Sequence, residues 1–168
     1  VVLTSDSGSI VTLENGWTYN VAGVINTVTP ATAQINTVVT IEGNSLLGGG
    51  DGLTWAKLAG VDAEVRSATD DKVVLVAAQP PADHKFSVSR VVFRSNSGAF
   101  VEVTGKFNYV AEGVVDTLSP AVGQLGTKVT ISGSSLFGAG TDIVSVTLNG
   151  VEAAIDSKDD DTVVVIAA

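Results

Sequence analysis

Shifted by ninety residues, this chain lies on itself without a gap: residues 1–78 align with residues 91–168, and 33 of the 78 pairs are identical. No other feature constrains the fold so tightly. Each unit must close most of its own core within about 90 residues, near the lower end of what folds independently. The anchors are Thr29-Pro30-Ala31 with Ser119-Pro120-Ala121, Val39-Thr40-Ile41 with Val129-Thr130-Ile131, Ser45-Leu46-Leu47-Gly48 with Ser135-Leu136-Phe137-Gly138, and Asp70-Asp71 with Asp160-Asp161. In this register residues 24–113 hold one complete unit. Residues 1–23 correspond to the C-terminal strands of a preceding unit, and residues 114–168 to the N-terminal part of a following one. We read the chain as a window on a longer tandem array, because stacked units run in series between specialised caps and no cap is recognisable. The alternative is that neighbouring chains complete one another's unit by donating strands.

Within each unit, apolar and polar residues alternate with a period of two, which predicts strands with one buried face. Val129 and Ile131 alternate with Lys128, Thr130 and Ser132; Val146 and Leu148 alternate with Ser145, Thr147 and Asn149; Phe100 to Thr104 reads Phe-Val-Glu-Val-Thr, and Phe86, Val88 and Arg90 alternate with Ser87 and Ser89. Helical spacing persists nowhere. Turn signals at Gly48 to Gly52, Gln79-Pro80-Pro81, Asn96-Ser97-Gly98 and Asn149-Gly150 divide each unit into about seven short strands. The predicted fold class is all-β: tandem immunoglobulin-like β-sandwiches of about 90 residues each. The absence of cysteine and of a Trp shared by the two units argues against an antibody-type domain.

Three separated motifs carry a family resemblance. Val114 to Pro120 is a strand ending in Ser-Pro, Gly126 to Gly138 contains Thr-Lys-Val-Thr-Ile-Ser-Gly-Ser-Ser-Leu-Phe-Gly, and Val146 to Ala153 reads Val-Thr-Leu-Asn-Gly-Val-Glu-Ala. In this order they resemble the IPT/TIG domain, and the pattern recurs at Val24 to Ala63. The resemblance implies an immunoglobulin-like fold found in plexins and related receptors, in large tandem surface proteins, beside sugar-processing domains and in some transcription factors. The acidic tandem form is similar to the extracellular arrays.

Composition narrows the function. The chain is 45% hydrophobic and 16% charged, a globular balance. Its formal net charge is −9, with basic residues scattered singly. Nucleic-acid binding requires a basic patch that displaces counterions from phosphates, so that class is set aside. No apolar run is long enough for a membrane span. Without Cys no thiol or Cys-metal chemistry is available. No Asn-x-Ser/Thr sequon is present.

Gly48 to Gly52 lacks the Lys and helix start of a phosphate loop and reads as an inter-strand loop. Asp159, Asp160 and Asp161, with Asp70 and Asp71 at the equivalent place, are candidate calcium ligands, with Asp51, Asp142 and Glu152 as possible additions. Carboxylates adjacent along an extended chain face opposite ways, which favours a solvated turn instead. His84 is the single histidine and reads as a loop residue beside Asp83 and Lys85. With no metal, nucleophile or cofactor constellation, no cofactor is expected and the chain is not expected to be an enzyme. Trp17 and Tyr19 align with Phe107 and Tyr109, as core or inter-unit aromatics would. Trp55 aligns with Ser145 and is therefore the candidate ligand contact.

The expected role is a structural or adhesive segment of an extracellular or cell-surface protein, a stiff rod or filament of sandwiches stacked end to end. Tyr19 to Gly23 and Tyr109 to Gly113 would serve as short joints, and Tyr19, Tyr109, Pro30 and Pro120 would lie near the interfaces. The glycine-rich loops would project towards the next unit. Partners would be neighbouring repeats or copies of the chain, with no membrane insertion. The alternative is a receptor or carbohydrate-binding module that contacts glycans or other surface proteins through exposed loops.

Overall fold

A computed structural model describes residues 1–82 and 89–168; Phe86, Val88 and His84 lie outside the described residues. The described chain is all-β. Its strands are β1 (Val2–Thr4), β2 (Ile10–Thr12), β3 (Val24–Thr29), β4 (Thr32–Ala33), β5 (Val38–Asn44), β6 (Leu53–Leu58), β7 (Val61–Ala68), β8 (Lys72–Val76), β9 (Arg90–Ser95), β10 (Phe100–Thr104), β11 (Asn108–Tyr109), β12 (Val114–Ser119), β13 (Lys128–Ser134), β14 (Val146–Leu148), β15 (Val151–Lys158) and β16 (Thr162–Ile166).

Residues 24–109 form a closed two-layer immunoglobulin-like sandwich. One layer has the order β3-β5-β8-β7 and the other β7-β6-β9-β10. β7 belongs to both layers: Val61 to Ala63 pair with β6, whereas Glu64 to Ala68 pair with β8. A register shift between Val65 and Ser67 bends the strand shortly after it changes layer. β4 and β11 add a short parallel pair, Thr32 opposite Asn108 and Ala33 opposite Tyr109. The alternation read in the sequence sorts the side chains. Val39 and Ile41 of β5, Val73 and Leu75 of β8, Ala56 and Leu58 of β6, and Val91 and Phe93 of β9 all enter one core.

The registers repeat at ninety residues. β3 pairs with β5 as Val24 opposite Asn44, and β12 with β13 as Val114 opposite Ser134; each pairing has a bulge one residue further on, between Ile25 and Thr27 and between Val115 and Thr117. At both bulges a glycine is obligatory. A Cβ at Gly43 would overlap the Val24 carbonyl oxygen, and one at Gly133 that of Val114. The β6–β7 turn at Ala59-Gly60 and its counterpart Asn149-Gly150 both place two successive residues at positive φ, the backbone of a tight two-residue hairpin.

Residues 114–168 reproduce one layer, β12-β13-β16-β15, and of the second only β14 with the start of β15. The difference is one of burial. Among the described residues eighteen buried side chains make up the core of residues 24–109, against five in residues 114–168: Val129, Ile131, Ala153, Val163 and Val165. At the other end of the chain, β1 and β2 form a two-stranded hairpin with Val2 opposite Thr12, and all six residues are exposed.

Candidate functional site

Three features outside the closed core are available for function: an aromatic patch, a joint and an open face. The patch lies on the outer surface of β6, β9 and β10. Because Ala56 and Leu58 point inward, Trp55 and Lys57 point outward, and the register sets Trp55 beside Arg94 and Arg94 beside Phe100. The Trp55 and Phe100 rings meet edge to face, with centroids 5.8 Å apart, and the Arg94 guanidinium lies 5.2 Å from the Phe100 centroid. Phe100 remains 59% exposed. Around this row stand exposed ion pairs, Lys57 with Asp62 at 2.7 Å and Arg90 with Glu102. The patch combines flat apolar faces with flanking hydrogen-bonding groups, an arrangement that stacks planar or ring-shaped ligands. Sequence comparison of the two halves singled out Trp55. It missed Phe100 and Arg94, because cross-strand neighbours become visible only with the register.

The joint is built differently from the expectation. Tyr109 does not sit at a boundary. It is 2% exposed inside the core, stacks edge to face on Phe107 at 5.3 Å and belongs to β11. Burial pushes its phenol up to about 12, an effect partly offset by a hydrogen bond with the Ala78 backbone. The Val110 N–H donates to the Ala33 carbonyl, so only Ala111, Glu112 and Gly113 separate this bond from β12. The Gly113 N–H donates to Gln34 Oε1 at 2.9 Å, and the same Gln34 amide packs against Gly138 so closely that a Cβ there would overlap it. The glycine-rich turn of residues 114–168 therefore faces the preceding sandwich. The same holds for Gly48 to Gly50, where Gly49 meets Asn20 of the preceding segment. This corrects the expectation that these loops project forward: the chain enters each unit beside the turn that follows its second long strand, as the contacts of Gly23 with Ser45 and of Gly113 with Ser135 show. Pro30 is half-buried and Pro120 exposed, each following a cis peptide bond.

The carboxylates considered for calcium are engaged in holding turns. Asp70 Oδ1 accepts from the Leu47 N–H at 2.9 Å, and Asp160 Oδ1 from the Phe137 N–H at 2.8 Å, the same contact ninety residues apart. Asp159 Oδ1 accepts from the N–H groups of Asp161 and Thr162. Asp51 bonds to Asn96. Asp142 pairs with Lys158 at 2.7 Å, and the hydrogen bond from Lys158 holds its carboxyl below the usual range. Asp71 and Glu152 are exposed. Among the described residues no group of three or more His, Asp or Glu side chains converges to hold a metal.

The open face belongs to residues 114–168. Val151 is 54% exposed where its counterpart Val61 is 8%, and Val115, Leu118, Val122 and Leu125 are likewise exposed. Leu118, Val122, Leu125 and Val151, together with Pro120 and Leu148, line a groove of about 500 Å³. Trp17 and Tyr19, aligned with the buried Phe107 and Tyr109, are 69% and 88% exposed. They nevertheless keep the same edge-to-face geometry, with centroids 5.9 Å apart.

The fold is shared with larger extracellular proteins. The chain superposes over 99% of its length on two structures of the plexin A4 extracellular region, with TM-scores of 0.57 and 0.60 at 19% and 18% identity. It spans only 17% and 15% of those chains. A surface glycan-binding protein from Prevotella bryantii matches 89% of the chain at 12% identity, covering 37% of that protein, with a TM-score of 0.41. No curated protein matches by sequence. Among the described residues no helix is long and apolar enough to cross a membrane. The family model of the IPT/TIG domain matches residues 114–168, the segment in which the Ser-Pro strand, the Gly133 bulge and the Asn149-Gly150 hairpin stand in order. Residues 114–168 are thus what the chain shares with the IPT/TIG domain family, within an all-β, immunoglobulin-like sandwich protein.

Proposed function

We propose that this chain is a structural segment of an extracellular or cell-surface protein, in which sandwiches are joined in series with fixed mutual orientation. The observation that supports this most directly is the Gln34 clamp. A three-residue joint bounded by the Val110–Ala33 and Gly113–Gln34 hydrogen bonds leaves few backbone torsions free to turn one unit against the next. The absence of cysteine lets the test use two introduced labels. With spin labels at Arg66→Cys and Ser157→Cys, both exposed, the inter-unit distance distribution should be narrow and should broaden when Gln34→Ala removes the clamp. A broad distribution in the otherwise unaltered chain would overturn the reading.

A second reading rests on the row of Trp55, Arg94 and Phe100. An exposed edge-to-face aromatic pair with a guanidinium and carboxylates around it suits the apolar face and hydroxyls of a sugar ring, so this surface is a candidate glycan contact. Titration of surface polysaccharides followed by tryptophan fluorescence should show binding that Trp55→Ala lowers at least about ten-fold, the loss expected for one stacking contact of about 1.4 kcal/mol. Equal binding by the variant would remove this face from consideration.

A further inference from the structure

We propose that the row of Trp55, Arg94 and Phe100 takes an acidic sugar, a pyranose ring bearing a carboxylate, with the ring stacked on the aromatic pair and the carboxylate held by the Arg94 guanidinium. The inference rests on the glycan reading of this face and adds the charge of the ligand to it.

The row takes its shape from an irregularity in β6. Leu53 lies opposite Ser95 and Trp55 opposite Arg94, so Thr54 is an extra residue in the strand. Leu53 and Ala56 both pack on the core. The two residues between them, Thr54 and Trp55, therefore both stand on the outer side, against the single residue Arg94. The Thr54 hydroxyl donates to the Arg94 carbonyl at 3.1 Å and ties the bulge to β9, which leaves Trp55 as the side chain that reaches along the row. Alternate strands of a sheet lie roughly 10 Å apart, yet the Trp55 and Phe100 centroids are 5.8 Å apart. The two rings thus lean towards each other over β9. The Arg94 guanidinium emerges beside the Phe100 ring, towards the β9–β10 turn, where a Cβ on Gly98 would lie 3.8 Å from its Nη2. Aromatic surface and cation stand side by side, as a sugar ring with an acid group at its edge requires.

Charge selects the acid. On the same face Lys57 is paired with Asp62 and Arg90 with Glu102. Asp51, on the loop that leads into β6, is bonded to Asn96. Among the described residues the Arg94 guanidinium makes no ion pair, and it rests against the Phe100 ring instead. Lys57, Arg90 and Arg94 against Asp62 and Glu102 leave these rows one positive charge, in a chain whose formal net charge is −9. A guanidinium presents a planar fork that meets a carboxylate with two parallel hydrogen bonds. The long-range field of so acidic a chain opposes any polyanion, so a preference for the acid can come only from a local cation. A neutral sugar would leave the donors of Arg94 to water, and an acidic peptide would engage Arg94 without using the aromatic surface.

The test titrates the isotope-labelled chain with oligosaccharides of galacturonate, of alginate and of hyaluronan, each beside its methyl ester, which keeps the ring and removes the charge. Affinity is read from broadening of the sugar's own NMR signals, and position from the indole N–H signal of Trp55, with Trp17 as the internal control. At least one acid should move the Trp55 signal, and its ester should bind about ten- to hundred-fold more weakly, the range of one hydrogen bond to a charged group. Arg94→Gln, at an exposed position, should weaken the acid by that factor and leave the ester unchanged. Trp55→Ala should weaken both. Equal binding of acid and ester, lost from both in Trp55→Ala, would overturn the acid preference and leave the glycan reading standing. If no sugar, acidic or esterified, binds in a way that Trp55→Ala lowers, both fall together. Polyglutamate, which carries carboxylates without rings, should not compete; binding as tight as that of the acidic sugars would assign Arg94 to acidic chains in general and overturn the proposal.

Discussion

Tyr19 and Tyr109 occupy the same place in the repeat and opposite surroundings, so they show what the sandwich does to a side chain. The pKa of Tyr109 is raised to about 12, above the ordinary value of 10.0, because burial disfavours the phenolate. The sign follows from proton binding. Between these two values the unfolded chain has lost the proton and the folded chain keeps it, so stability falls as pH rises through that window and is unaffected by this group below it. The full loss is on the order of 3 kcal/mol. In a Tyr19→Phe chain, where Tyr109 is the only tyrosine, spectrophotometric titration of the phenolate should have its midpoint near 12 and coincide with loss of strand circular dichroism. A midpoint at the ordinary value in a folded chain would contradict the burial assigned to β11. Glycine is required at 43 and 133 for an equally local reason, since any Cβ there meets the carbonyl of the residue that opens the unit.

At the scale of the element, the Asp70 and Asp160 carboxylates tie the turn after β5 or β13 to the turn that precedes β8 or β16. Removing Asp70 leaves the partly buried Leu47 N–H without its acceptor, so Asp70→Ala should destabilise the closed sandwich by about 1–3 kcal/mol, measured as a shift in the denaturant midpoint. Added calcium should leave that midpoint unchanged in both proteins, whereas a shift specific to calcium would restore the cation reading. The strands themselves were legible: alternation over Phe100 to Thr104 and Val129 to Ser132 marks β10 and β13, and the repeat marks their register. The division of β7 between two layers was not, because Val61 to Arg66 alternates without a break across Ala63 and Glu64, where its partner changes. Nor was the β4–β11 pair, since two-residue parallel strands have no period to detect. That is why Tyr109 reads as a joint residue in the sequence and stands in the core of the structure. Of the candidate site, Trp55 was legible through its mismatch with Ser145, but the row it forms with Arg94 and Phe100 depends on the pairing of Trp55 with Arg94 across 39 residues of sequence and of Arg94 with Phe100 across six.

At the scale of the whole molecule, the orientation of one unit against the next depends on a single side chain. The Gly113 N–H donates to Gln34 Oε1, and the Gln34 amide packs so closely on Gly138 that a Cβ there would overlap it. Gly138→Ala should therefore push the amide from its seat and broaden the distance distribution between labels at Arg66→Cys and Ser157→Cys, as Gln34→Ala does, while the denaturant midpoint of the closed sandwich of residues 24–109 stays in place, because Gly138 lies outside its core. A distribution that stays narrow in both variants would assign the fixed orientation to the backbone of residues 111–113, where three residues leave few torsions to turn one unit against the other.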